Sequence, residues 1–206
     1  MSKEYVHLDP LEMIEERPFT NPVDSMQDLA TLEYMLERLC EVLKQPQGIP
    51  AWPRPFILYL READNRFHRI TIAKLETLLT SDHLMVVGFC GQKRLGADRG
   101  PLDAVDEELI AEFPHHPHLL SYSTLQLECG NSCNLVLFDN PKGLKHWATG
   151  EKHAYAITLA PGYYATVRLH NAVLPGGLMS GNKLSLMRTK YYDYQDNPFW
   201  WAVREM

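Results

Sequence analysis

At 206 residues, with 45% hydrophobic and 22% charged residues, the chain has enough apolar content for one substantial buried core and carries no low-complexity block. Its net charge of −6, with Gln92-Lys93-Arg94 as the longest basic cluster, argues against a nucleic-acid or anionic-membrane binder, which neutralises phosphates with clustered Lys and Arg. No apolar run reaches the ~18 residues of a membrane span and Met1–Pro18 lacks the apolar core of a signal peptide, so the expectation is a cytoplasmic protein whose Cys40, Cys90, Cys129 and Cys133 stay thiols.

In chain order, the polar stretch to Ser25 is interrupted by Pro10, Pro18 and Pro22 and reads as an irregular arm. From Ser25 to Lys44, apolar residues at Leu29, Leu32, Met35, Leu36, Leu39, Val42 and Leu43 mark one helical face, with Ser25 placed to cap it and Asp28 three residues on. Gln45 to Pro55, rich in proline, is an extended connector. This divides the chain into an N-terminal arm, helix and connector (1–55) and an α+β domain with an aromatic tail (56–206).

Phe56–Leu60 is a short apolar run and a buried strand; Arg66–Ser81 has apolar residues at mostly helical intervals and predicts a helix, although Thr71-Ile72 could begin a strand. His83–Gly91 predicts a strand from its β-branched and aromatic content, and Pro101–Phe113 a helix opened by proline and acidic residues. Leu120–Glu128 and Asn134–Phe138 form either a hairpin or one bulged strand around Cys129-Gly-Asn-Ser-Cys133. A helix from Pro141 is weakened at Gly150 and stopped at Pro161-Gly162; Tyr163–Val173 alternates as a strand, and a further strand starts at Ser185.

After the N-terminal helix, two successive strand-helix-strand halves give the ferredoxin-like layout: an α+β fold whose antiparallel sheet packs helices on one face, here with the added N-terminal helix and a C-terminal extra strand. With this order, and with Trp147 and His153 on the second helix, Phe56–Val173 resembles the dimeric α+β barrel superfamily, in which the sheets of two such units face each other. The resemblance implies a homodimer and a small-molecule pocket. Its haem-binding members use a helix histidine, and its haem-degrading monooxygenases combine Asn, Trp and His, which implies haem as a candidate cofactor held by His146, Trp147 and Asn134. The spacing from Trp147 to His153 is shorter than in that pattern.

Two constellations carry candidate chemistry. His146 and His153 are seven apart and share a face with Trp147 if one helix runs through Gly150; a neutral imidazole there serves as a base or ligand, and the plainer reading is a core tryptophan with surface histidines. On the later strand, Tyr164, Thr166, Arg168 and His170 alternate onto one face, a row suited to an anionic or carbonyl ligand, against the plainer reading of an exposed sheet face. The expected catalytic residues are thus His153, His170 and Arg168, with Tyr164 and Thr166 binding substrate.

Other motifs rank lower. His115-His116-Pro117-His118 reads as a solvated loop more readily than a metal site, Cys129 and Cys133 are one residue too far apart for Cys-x-x-Cys, and no nucleophile elbow is present. The expected function is an enzyme acting on a small, partly apolar molecule. The alternative is a non-catalytic ligand-binding or homodimeric assembly protein.

Overall fold

The computed structural model describes residues 5–44, 55–127 and 130–206. The elements are β1 (Val6–His7), α1 (Pro22–Lys44), β2 (Phe56–Arg61), β3 (Phe67–Ile72), α2 (Leu75–Thr80), β4 (His83–Lys93), α3 (Gly100–Glu112), β5 (Leu119–Gln126), β6 (Ser132–Phe138), α4 (Pro141–Thr149), α5 (Glu151–Tyr163), β7 (Tyr164–Pro175), β8 (Ser185–Asp193) and β9 (Trp200–Glu205). The strands form one nine-stranded sheet in the order β1-β9-β8-β7-β4-β6-β5-β3-β2, antiparallel at every pairing except the parallel β1–β9 edge.

This architecture corrects the ferredoxin-like expectation. A single mixed nine-stranded sheet replaces the small antiparallel one, and its helices lie on both faces, though the protein remains α+β. One cause is local: Phe67–Ile72 is β3, hairpin-paired with β2, where helical spacing had suggested a helix. The β-branched run Ile70-Thr71-Ile72 favours the pleated conformation, and Asn65 at φ 65° closes the turn, leaving only Leu75–Thr80 helical. The hairpin alternative for Leu120–Phe138 is the one observed, as β5 and β6. The connector from Gln45 lies almost wholly outside the described residues.

Helix α1 begins earlier than the Ser25 cap implied. Asn21 Oδ1 accepts from the Val23 amide at 3.0 Å and Pro22 opens the helix, as capping chemistry favours. Ser25 lies buried inside the helix, its hydroxyl 2.9 Å from that of Tyr191. The apolar stripe Leu29, Leu32, Met35, Leu36 and Leu39 packs against one sheet face, where strand alternation presents Ile70, Val86, Leu135, Leu137 and Ala172. The approach is close: a Cβ on Gly88 would sit 2.3 Å from Leu32 Cδ1.

The opposite face carries α3, α4 and α5. Met85, Val136 and Phe138 meet Ile110, Phe113 and Trp147 there, and a neighbouring cluster joins Ala160 and Tyr163 to Tyr164 and Val167. The arm is pinned by fully buried Arg204, whose guanidinium donates to the carbonyls of Asp9 (3.1 Å), Thr20 (2.9 Å) and Glu12 and to the Tyr191 hydroxyl.

The cysteines also depart from expectation. Cys90 on β4 and Cys133 on β6 stand opposite one another in register, Cα atoms 4.4 Å apart, and form a disulfide; Cys40 is a thiol and Cys129 lies outside the described residues. Antiparallel pairing brings together two positions 43 residues apart whose relation is invisible in spacing alone. Among the described residues no helix is long and apolar enough to cross a membrane.

Candidate functional site

Two adjoining cavities lie between the sheet and helices α3, α4 and α5. The outer, of about 280 Å³, is lined by His115, His116, His146 and Lys152; the inner, of about 180 Å³, is walled by Phe89, Tyr122, Asn134, Tyr164 and Tyr194 among others. Leu109, Trp147 and His153 line both. The helix expected to run through Gly150 breaks there: Gly150 is extended (φ −63°, ψ 135°) and caps α4 before α5 begins. The break leaves the Trp147 and His153 rings 4.8 Å apart at the partition, and Trp147 also packs on Phe113 at 5.7 Å and on His116 at 5.8 Å.

The expected set of Asn134, Trp147 and His153 therefore meets at one cavity, with Tyr164 beside it, while His146 stands in the outer chamber. Tyr164 reaches the cavity because of a bulge. Gln92 pairs with Thr166 and Lys93 with Tyr164, so Ala165 is an extra residue and Tyr164 turns to the face opposite Thr166. Gly91 leaves the space it uses, since a Cβ there would lie 2.4 Å from Tyr164 Cε1, and Phe89 meets the Tyr164 ring edge-on at 5.1 Å.

The same bulge splits the expected polar row. Thr166, Arg168 and His170 face α1, where the Thr166 hydroxyl donates to Gln92 Oε1 at 3.2 Å. Asp28 takes two hydrogen bonds from Arg168 (2.5 and 3.0 Å), and its Oδ2 lies 2.9 Å from His170 Nε2. His170 Nδ1 lies 2.9 Å from the Thr189 hydroxyl, so both ring nitrogens are engaged. Burial would raise the Asp28 pKa, but hydrogen bonds from His170 and Arg168 outweigh it and hold the carboxyl below its ordinary range. Arg168 and His170 line neither cavity and belong to a satisfied polar network beneath α1. A parallel network holds the far end of α1, where buried Glu62 accepts from Tyr34 (2.6 Å) and pairs with His68 Nδ1 at 2.7 Å.

The electrostatics of the cavities are those of a site without net charge. Asp106 is paired with Arg69 at 2.6 Å and Arg99 with Asp103 at 2.5 Å. Burial pushes the His153 imidazole down to about 4, and burial together with His146 and Lys74 brings His116 to about 4, so both rings are neutral at pH 7. Burial likewise raises Tyr164 to about 12. The Leu119 amide donates to His116 Nδ1 at 2.9 Å, which places the ring proton on Nε2.

Three buried polar atoms of these walls have no partner: Asn134 Oδ1, His153 Nδ1 and His116 Nε2. An unpaired buried donor or acceptor costs about 1–3 kcal/mol, and such atoms gathered around one pair of cavities mark where a guest or ordered water would gain most. Tyr122, Phe89 and Tyr194 are the wall residues that sequence reasoning missed, and the alternation of β5 through Tyr122 was the one signal of them.

The haem expectation meets a fit test here. The break at Gly150 puts His146 on α4, lining the outer cavity alone, and His153 on α5, so the shared helical face that the haem expectation used is absent. The chain matches no protein-family model, no curated protein and no solved structure.

Proposed function

We propose that the protein binds a small, partly apolar organic molecule in the cavity between β4, β5, β6 and β7 and helices α3 and α5. The observation that carries this reading is the combination of an aromatic-walled cavity with Asn134 and His153, each of which brings a buried polar atom without a partner. Pre-formed apolar pockets with a few convergent polar groups are the usual form of a small-molecule site. His153 is the natural acid/base group should the bound molecule be turned over, because its neutral imidazole has an uncommitted Nδ1.

The test is a fragment screen on the intact protein, read by the Trp147 indole NMR resonance and repeated with Ala156→Phe, which fills the cavity from α5. Bound fragments should shift the resonance in the wild type and not in Ala156→Phe. A library that leaves the wild-type resonance unmoved would refute the reading.

A further inference from the structure

We infer that the inner cavity is built for an uncharged, single-ring aromatic bearing a hydroxyl or amino donor, the chemistry of a phenol or an aniline. This rests on the small-molecule reading above and narrows it to a ligand class.

Size comes first. At about 180 Å³ the cavity slightly exceeds the roughly 150 Å³ of an apolar protein cavity that takes up benzene, which leaves room for one ring and a short substituent. The walls suit a ring as well: Phe89, Tyr122, Trp147, Tyr164 and Tyr194 surround the space, and aromatic groups pair favourably edge-to-face or offset.

Charge excludes ions. Arg99 and Asp106 in the wall are each committed to a partner, Asp103 and Arg69, and His153 is neutral. A charged guest would lose its hydration against a wall whose own charges, Arg99 and Asp106, are opposite and each already paired. Polarity then selects a donor, because Asn134 Oδ1 can only accept and is buried without a donor, and a neutral His153 Nδ1 can accept as well.

The intact protein, labelled with ¹⁵N-tryptophan and assigned with Trp147→Phe, is titrated separately with phenol, aniline, toluene, cyclohexanol and benzoate. Phenol and aniline should saturate the Trp147 shift at least about tenfold more tightly than toluene or cyclohexanol, as a hydrogen bond to an otherwise orphaned acceptor provides. Benzoate should leave the resonance unmoved, and Asn134→Leu should bring phenol level with toluene. Toluene or cyclohexanol matching phenol in the wild type, or benzoate binding most tightly, would overturn the ligand class. The wild-type ranking decides this even if Asn134→Leu fails to fold. If none of the five shifts the resonance while other fragments do, the ligand class falls and the binding reading stands; if nothing shifts it, both fall.

Discussion

Asp28 on α1 and Arg168 on β7, 140 residues apart, are joined by two hydrogen bonds of 2.5 and 3.0 Å, and through them the long helix is locked to the middle of the sheet. Removing one member of such a pair strands the other's charge, at a cost of about 3–5 kcal/mol. Asp28→Ala should lower the stability measured by chemical denaturation by that order. The double variant Asp28→Leu/Arg168→Met should cost less than the two single changes added together. Additive losses would show that the two side chains act independently.

The pH dependence follows from two kinds of group. The unfolded chain binds protons at His116 and His153 near 6.5, the folded chain only near 4, so stability falls as pH drops from about 6.5 to about 4 and this loss then levels off. The Asp28 and Glu62 carboxyls are depressed in the folded state, Glu62 because hydrogen bonds from Tyr34 and His68 outweigh its burial. Their contribution is present above the ordinary carboxylate range and is lost at lower pH. His153→Gln should flatten the upper part of this profile, read as denaturation midpoints between pH 7 and pH 4. An unchanged slope would place the response elsewhere.

Reduction offers a third measurement. A disulfide closing a loop of this length stabilises by about 2–4 kcal/mol, so Cys133→Ala should lower the denaturation midpoint accordingly. In the folded, oxidised protein Cys90 and Cys133 should resist alkylation until the chain is unfolded and reduced. Ready alkylation of Cys90 in the native protein would contradict the pairing.

Gly88 sets the distance between α1 and the sheet. Gly88→Ala forces its methyl against the fully buried Leu32 and should cost about 1–3 kcal/mol by overpacking, with partial rescue by Leu32→Val. A neutral Gly88→Ala would mean that the helix can lift without penalty.

Much of this arrangement was legible in the residues, and the failures have physical causes. The face of α1 was clear because seven apolar residues, Leu29 to Leu43, keep the helical period over about four turns. β3 was not, since Phe67 and Ile70 fit a helix until hairpin pairing with β2 decides the matter. Asn134, Trp147 and His153 could be grouped by residue type, whereas a one-residue bulge at Ala165 moved Tyr164 away from Arg168 and His170, and strand alternation carries no sign of such an insertion. Asp28 passed for a residue of the first helical turn, and its role needs a strand 140 residues later.

The parallel edge formed by Val6–His7 and Ala202–Val203 has a consequence for how the polypeptide is made. Among the described residues the arm pairs only with β9, and the Arg204 guanidinium that gathers its carbonyls lies 195 residues beyond Asp9 and 192 beyond Glu12. Closure of this edge therefore waits until β9 has been synthesised, and a nascent chain stalled before Trp200 should keep the arm open to protease while the α1 face is already assembled.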